Sequence, residues 1–544
     1  MEDLMPVRSP DRRWRARSTR FTVGAAAVVA LVGACAPGSA DIAASPARVV
    51  ENGIVGDRQE PTTPTRGGTL TMAAYSSVTT LDPTKTPALG STGGNEMAAV
   101  YDVLMRYEPS SGSFLPQMAE ALTASPDGQM WTLQLRDGVT FSNGTGVTAQ
   151  NVMWSIDRYN QANGPGSQLW KANIVSMAAS GPRTVTFTLT QPWTEFPAML
   201  AGGHGMIVAP ASLEGDRFTP IGAGPFTVER FRPHEELALA ARPDYWDGKP
   251  HLDTLRFVGL TGDMEKIEAL AANDVQVAFV RSSEAVQRAR ENGYSSYIET
   301  VPLGSVAMIN NRPGRPGADI RVRRAIAHAI DRNAFDERVD KGTGLPGSVI
   351  FPEWSPMHSE VDGLEYDPET ASRLLNEAKN DGYDGHLTFL GVAAAKSQTT
   401  ALAVQSMLQS VGFTVTLDFQ SSAGDVTKKL NVEHDYDISY SAIGLPAAAP
   451  VNKLTAALNS SSNSNYLGYT NADMDALLSR LRTTGVDSDE RRALSGELQT
   501  LVNDTVPFVT LGSAPTFTLW ADDVHGIEPT TESIMLFGKA WIGA

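Results

Sequence analysis

The fold of this chain of 544 residues is decided by the segment 115–141, LPQMAEALTASPDGQMWTLQLRDGVTF. Within it, Met130–Leu135 (MWTLQL) predicts a β-strand, and the RDG sequence at 136–138 predicts a turn before 139–141. Thr69–Ala74 and Thr184–Leu189 predict two further strands, the second because apolar residues alternate with threonines. The first half of the chain is therefore expected to contribute strands closed by tight turns.

Helices are predicted in the second half. Asp319 is an N-cap candidate for a helix whose apolar face is formed by Val322, Ala325, Ile326, Ala329 and Ile330. Pro368 follows Asp367 as the first residue of a second helix, and a third is predicted from 401 to about 410, before a strand at 414–419. Because helices recur between strands, we expect an α/β fold.

The N-terminus has the pattern of a secretory signal. Six arginines precede the uncharged run 21–34 (FTVGAAAVVALVGA). This run of 14 residues is shorter than the roughly 20 that a helix needs to span a bilayer. We therefore predict a lipoprotein signal peptide at 1–34, with Arg12 and Arg13 leaving the secretion route open.

Cys35 is the only cysteine of the chain and directly follows the sequence LVGA at 31–34. This arrangement resembles a bacterial lipobox, in which the thiol is acylated and the chain is cleaved before the cysteine. A buried, inert thiol is the alternative. With no second cysteine the mature chain has no internal disulfide. We expect Cys35 to carry the lipid anchor at the outer face of the cell membrane.

The composition fits a soluble body behind that anchor. The whole chain has a net charge of −17, and because 1–34 contains six arginines against three acidic residues, the mature chain would carry −20. Such a surface repels phosphates, so we expect no nucleic acid partner. Residues 35–66, rich in Ala, Pro, Ser, Thr and Gly, predict a flexible tether, and the remaining length predicts more than one domain.

Catalytic and cofactor motifs are missing from the sequence. The eight histidines form no HExxH pattern, and neither a GxxxxGK[ST] loop nor a GxSxG elbow occurs. We therefore expect a binding protein without a cofactor or a metal. A secreted hydrolase or glycoside-active enzyme is the alternative.

Three ordered blocks carry a resemblance to a known family. The first block comprises 101–104 (YDVL), 115–141 and 148–152 (TAQNV). The second comprises 222–226 (GAGPF) and 244–246 (DYW). The third comprises Asn310, 319–326 (DIRVRRAI) and 329–332 (AIDR). In these blocks the chain resembles family 5 of the extracellular solute-binding proteins, the peptide, nickel and opine receptors of ABC importers. The resemblance covers essentially residues 67–544.

The resemblance implies a large two-lobed fold of the periplasmic-binding-protein type, with a ligand cleft between the lobes. Lobe I would comprise 67–300 and 505–544, with an inserted subdomain at about 101–209, and lobe II would comprise 301–504. It implies a monomer that closes around a small-molecule or peptide-like ligand and delivers it to ABC permease and ATPase subunits. A sensory receptor without transport is a variant of this interpretation.

The same resemblance implies ligand-binding residues in both lobes, namely Ser77, Val78 and Thr79 in lobe I and Tyr440, Ile443, Leu445 and Pro446 in lobe II. Peptide-binding members hold the ligand's α-amino group with an aspartate, and Pro446 occupies the equivalent position here. Because a buried ammonium without a carboxylate costs on the order of several kcal/mol, we expect no grip of the usual kind on a free peptide N-terminus. A shifted alignment, or a carboxylate from Asp418, Asp425 or Asp437, is the alternative.

Overall fold

The structure is a computed structural model that describes residues 52–56, 63–486 and 488–543. The predicted signal peptide 1–34, Cys35 and most of the predicted tether lie outside the described residues. Within the described part, no helix has the length and apolar character needed to cross a membrane.

The strands are β1 Gly53–Val55, β2 Thr69–Ala74, β3 Met105–Glu108, β4 Ser113–Pro116, β5 Ala119–Ala124, β6 Met130–Leu135, β7 Ile174–Gly181, β8 Thr184–Leu189, β9 Leu213–Glu214, β10 Arg217–Phe218, β11 Phe226–Arg232, β12 Glu236–Ala241, β13 Thr254–Gly259, β14 Val277–Val280, β15 Ser295–Ile309, β16 Leu345–Pro346, β17 His386–Val392, β18 Thr414–Gln420, β19 Ile438–Ser441, β20 Phe508–Trp520, β21 Val524–His525, β22 Glu528–Pro529, β23 Met535–Leu536 and β24 Trp541–Ile542. The α-helices are α1 Gly94–Tyr101, α2 Ala149–Gln161, α3 Ser167–Asn173, α4 Phe196–Leu200, α5 Asp263–Ala271, α6 Ser283–Glu291, α7 Ile320–Ala329, α8 Arg332–Val339, α9 Pro368–Asn380, α10 Ala395–Ser410, α11 Ala423–Lys428, α12 Pro450–Leu458, α13 Ala472–Thr483 and α14 Asp489–Thr505.

One large sheet runs through both lobes in the order β11-β12-β13-β2-β14-β20-β15-β19-β17-β18. Strands β13, β2 and β14 are parallel and form the centre of lobe I, while β17 is parallel to β18 and β19 in lobe II. Five of the six residues of β2 are buried, as expected for a parallel strand covered on both faces. Helices and strands thus form the predicted α/β layers.

The long antiparallel strands β15 and β20 connect the two lobes. Ser295–Val301 of β15 pairs with the lobe I end of β20, and Val306–Met308 pairs with its lobe II end. The register shifts between Val301 and Ser305, and Leu303 in this interval adopts a φ of 51°. These two crossovers are the physical basis for a hinge between the lobes.

An inserted subdomain follows α1. It consists of the antiparallel sheet β5-β6-β8-β7 with helices α2 to α4. The buried Asp102 carboxylate joins it to lobe I, accepting hydrogen bonds from the Tyr245 hydroxyl at 2.7 Å and from Trp246 Nε1 at 2.9 Å. The inserted subdomain is thereby fixed to lobe I through buried polar contacts.

Several local predictions are confirmed. β2, β6 and β8 have the predicted bounds, and Asp319 and Asp367 cap α7 and α9 with their side chains. Two differ: α10 begins at Ala395, six residues before the predicted start, and β18 extends to Gln420. Gly53–Val55, within the predicted tether, pairs with Ser296–Ile298 of β15, so this part of the segment belongs to the folded body.

Candidate functional site

The carboxyl ends of the lobe I strands present an aromatic and cationic surface. Tyr75 follows β2 and Arg281 follows β14, and the Arg281 guanidinium lies 4.8 Å from the centre of the Tyr75 ring. Tyr75 also packs edge-on against Phe279 with ring centres 5.5 Å apart. In open α/β sheets ligands bind at this end of the strands, so Tyr75 and Arg281 are candidates for ligand contact.

A buried lysine lies beneath this surface. Lys266 Nζ donates to the Phe279 carbonyl at 2.9 Å, pairs with Asp263 Oδ1 at 3.3 Å, and lies 5.0 Å from the centre of the Tyr75 ring. Burial lowers the pKa of Lys266, and Asp263 opposes the shift. Asp263 also accepts the backbone N–H of Arg281 at 2.8 Å, which positions that residue.

Lys396 provides a cation from lobe II. It lies in the first turn of α10, after the carboxyl end of β17, and its ammonium pairs with Asp340 Oδ1 at 2.8 Å. Burial tends to lower the pKa of Lys396, but the hydrogen bond to Asp340 and the nearby hydroxyls of Tyr440 and Tyr75 outweigh it and raise the pKa. Lys396 therefore lies within electrostatic range of an aromatic residue from each lobe.

The cations around Tyr75 differ in whether a carboxylate pairs with them. Lys266 pairs with Asp263 and is also within electrostatic range of Glu265, and Lys396 pairs with Asp340. Among the described residues the Arg281 guanidinium forms no ion pair with a carboxylate. A guanidinium without a carboxylate partner favours a ligand with an anionic group.

The three residues predicted in lobe I differ in their placement. Ser77 and Val78 line a pocket of about 230 Å³, counted to its open mouth, between β2 and the β11–β12 hairpin, whereas Thr79 is exposed. The space open to a water-sized sphere inside it is only about 10 Å³, room for about one water molecule, so this pocket alone has no room for a ligand. Ligand contact by these residues stays a prediction.

Glu96 is the buried acid of this pocket. Its side chain is 2% exposed, and its Oε2 has no hydrogen-bond partner among the described protein groups. Burial raises the pKa of Glu96 to about 7, while its own backbone N–H acts in the opposite direction. Glu96 is therefore a group that titrates near neutrality inside lobe I.

The four residues predicted in lobe II lie on one segment of the chain, but their side chains differ in burial and do not form one surface. Tyr440 is half-buried in β19, and Ser305 Oγ donates to its hydroxyl at 3.2 Å. Ile443 packs against the core of lobe II, Leu445 lies inside that core at 1% exposure, and Pro446 is buried. The Tyr440 hydroxyl is within electrostatic range of Lys396, and ligand contact by all four residues stays a prediction.

The alternative amine partners have other roles. Asp418 pairs with Lys429 at 2.7 Å, Asp425 accepts from the Ser421 and Ser422 hydroxyls, and Asp437 accepts the Thr388 backbone N–H at 2.8 Å. Each of the three carboxylates is committed to a contact within lobe II. The structure therefore does not favour any of them as a replacement for an aspartate at position 446.

Sequence reasoning missed Tyr75, Arg281 and Lys396. A shared signal could have found them, because each is an aromatic or cationic residue at most four positions beyond the end of a buried strand. In the described residues no group of three or more histidines or acidic residues is arranged to hold a metal ion. The site is thus built for charge and ring contacts.

Two lobes joined by two crossover strands, with aromatic and cationic residues at the carboxyl ends of the strands, form the architecture of a solute-binding protein. The sequence matches the family described as "Bacterial extracellular solute-binding proteins, family 5 Middle" over residues 113–465. The chain belongs to this family, whose members are solute-binding proteins of ABC importers and not enzymes. The predicted family, fold and non-enzymatic function are therefore confirmed.

The chain is similar to named relatives over most of its length. It is 27% identical over 476 residues to di/tripeptide-binding protein 2 of Pseudomonas aeruginosa (strain UCBPP-PA14), covering 81% of this chain and 88% of the relative. It is also 27% identical over 415 residues to the glutathione-binding protein GsiB of Salmonella typhi, covering 72% and 79%. The crystal structure of a dipeptide-binding protein from Pseudoalteromonas sp. SM9913 with Met-Leu has a TM-score of 0.75 at 20% identity, covering 88% of this chain and all of the other.

Proposed function

We propose that this protein is a lipid-anchored receptor that captures an oligopeptide-like or other bulky polar solute with an anionic group and delivers it to an ABC permease. The observation that carries the proposal is the Arg281 guanidinium beside Tyr75, which forms no ion pair with a carboxylate among the described residues. Lys266 of lobe I lies on the same Tyr75 ring, and Lys396 of lobe II is within electrostatic range of Tyr75. An anion between Arg281 and Lys396 would screen both cations and favour the closed state.

The names of the relatives support a peptide-like solute. One binds di- and tripeptides and another binds glutathione, and both kinds of ligand carry carboxylates. The resemblance places Pro446 where peptide-binding members have the aspartate, and the three alternative carboxylates are engaged in other contacts. On this proposal the amino end would be bound differently here. We therefore propose that the anionic end of the solute contributes more to its affinity than its amino end.

Thermal unfolding in the presence of matched peptides tests this proposal. Each peptide is supplied with both ends free, with the amino end acetylated, or with the carboxyl end amidated. We expect acetylation to preserve the rise in Tm and amidation to abolish it. A rise that requires a free amino end and survives amidation would overturn the proposal.

The anchor requires a separate test. The proposal places the acyl chain on Cys35 and the body at the outer face of the membrane, supported by the lipobox-like residues 31–35. We expect wild type to incorporate labelled fatty acid and to fractionate with membranes, and Cys35→Ser to do neither. Incorporation by Cys35→Ser equal to wild type would contradict the anchor.

A further inference from the structure

A buried ion pair joins the inserted subdomain to lobe II. The Glu195 carboxylate pairs with the Arg491 guanidinium of α14, and each side chain is 2% exposed. Residues this deeply buried are protected from water by the surfaces on both sides of the contact. The contact is therefore a packed interface between the inserted subdomain and lobe II.

Glu195 also completes a helix that belongs to lobe II. The N-cap of α12, Ala449, has no side chain that can accept a hydrogen bond, and the first N–H groups of a helix have no partner within it. Glu195 accepts the backbone N–H groups of Val451 at 3.2 Å and Asn452 at 2.8 Å. Its negative charge also lies at the positive end of the helix dipole.

Neighbouring residues extend the interface over three helices of lobe II. Trp193 Nε1 donates to Asn452 Oδ1 at 2.9 Å, and the Thr194 hydroxyl donates to the Arg482 carbonyl, at the end of α13, at 3.1 Å. The Trp193 ring is 1% exposed and packs in the core of the inserted subdomain. One short segment of the inserted subdomain thus binds α12, α13 and α14 together.

The position of α12 gives this interface a consequence for ligand binding. The helix directly follows the segment 440–449, where the candidate residues Tyr440 to Pro446 lie. Because the inserted subdomain is fixed to lobe I through Asp102, a movement of lobe II away from lobe I separates Glu195 from α12. Opening would then leave the α12 N-terminus without its acceptor.

We propose that Glu195 is a positioning residue that forms its contacts only in the closed protein, where it holds α12 and the ligand segment before it in their binding positions. This proposal rests on the proposed function, because closure matters only if the protein binds a solute between its lobes. The experiment that tests it needs no solute. Breaking one side of a buried pair leaves an uncompensated charge, so the closed state should be disfavoured. We expect the ratio of closed to open molecules to fall on the order of tenfold or more when Glu195 is neutralised.

The test measures the distance between the inserted subdomain and lobe II in the absence of solute. Spin labels are placed on Val175→Cys and Val432→Cys, which replace side chains that are 63% and 70% exposed, in a chain carrying Cys35→Ser. Distance distributions are recorded for the parent chain, Glu195→Gln, Arg491→Gln and the double variant. Glu497 lies on α14, as Arg491 does, and forms an exposed pair with Arg480 of α13, so Glu497→Gln is the matched control.

We expect both single variants to shift the population towards longer distances, the double variant to recover part of the short-distance population, and the control to match the parent. A distribution for Glu195→Gln equal to that of the parent would overturn the proposal. So would a lower Tm with unchanged distances, which would show a role in folding alone. Because no solute is added, failure of the proposed ligand chemistry cannot produce either result.

Discussion

The hydroxyl of Ser305 lies 3.2 Å from the hydroxyl of Tyr440 and donates a hydrogen bond to it. Ser305 belongs to the crossover strand β15, at the point where its register with β20 shifts. Tyr440 belongs to the candidate ligand segment and is within electrostatic range of Lys396. A residue of the candidate site is thus bonded to the strand that connects the lobes through its side chain, in addition to the backbone pairing of β19 with β15. Movement at the hinge therefore reaches Tyr440 directly.

Tyr440→Phe should weaken solute binding by about two- to tenfold, because a typical hydrogen bond contributes about 0.5–1.5 kcal/mol net. The ring would keep its contact with Phe335, whose centre lies 6.1 Å away, so the Tm should change little. Calorimetric titration of the identified solute measures the effect, with Tyr366→Phe, an exposed tyrosine, as the control. Equal affinities for wild type and Tyr440→Phe would exclude a role for this hydroxyl.

Lys396→Gln and Arg281→Gln should each reduce affinity for a carboxylate-bearing solute about tenfold or more, because each removes a charge-assisted contact. The effect should grow at low ionic strength, where screening is weaker. Lys428→Gln, which breaks an exposed pair with Glu433 on lobe II, is the control. The amidated solute, which lacks the carboxylate, should lose little affinity on either substitution. If both substitutions weaken its binding as much as they weaken binding of the free acid, the two cations do not contact the carboxylate.

Stability should fall as pH rises from about 5 to about 7. Burial raises the pKa of Glu96 from 4.5 to about 7, so in this window the folded protein holds a proton that the unfolded chain has released. The stabilisation that this proton provides is complete below pH 4.5 and is lost as the pH rises through about 7. Its contribution to the free energy of unfolding is about 3 kcal/mol in total.

Glu96→Gln should remove this part of the pH dependence, because its side chain stays neutral at every pH. Urea unfolding of wild type and Glu96→Gln at pH 5, 6, 7 and 8 measures the difference. The curves should converge near pH 5 and separate at pH 8, with the variant more stable. Parallel curves would show that Glu96 does not titrate in this range.

The strand β1 should contribute to stability although it lies in the predicted tether. Gly53–Val55 pairs with β15, and Asn52 Oδ1 accepts the Thr300 backbone N–H at 2.7 Å. A chain that begins at residue 63 should lose on the order of 1–3 kcal/mol relative to one that begins at residue 49, given about 1 kcal/mol for each hydrogen bond. Identical urea midpoints for the two chains would show that the strand adds nothing.

Strands and helices could be predicted from the sequence where the apolar residues recur at a regular spacing or where a capping residue marks the start of a helix. Thr184–Leu189 alternates strictly, and Asp319 and Asp367 supply the first hydrogen bonds of α7 and α9. The start of α10 was wrong because its N-cap, Ala394, makes no side-chain hydrogen bond, so no residue marks the boundary.

Long-range relationships were beyond prediction from the sequence. β15 contains Pro302 and Gly304, which in a sequence indicate a break and in the structure accompany a register shift within one strand. Glu195 and Arg491 lie far apart in the chain, and neither has a local pattern that indicates its partner. Arg281 and Lys396 follow β14 and β17, which are far apart in the sequence and separated by three strands in the sheet, so only the folded chain brings both near Tyr75.

Native mass spectrometry of the protein purified from its own host tests the central claim most directly. We predict that wild type carries one solute of discrete mass, that fragmentation of this solute reveals a carboxylate or another anionic group, and that the Arg281→Gln/Lys396→Gln double variant has lost it. A solute without an anionic group, or equal occupancy in wild type and the double variant, would contradict the account.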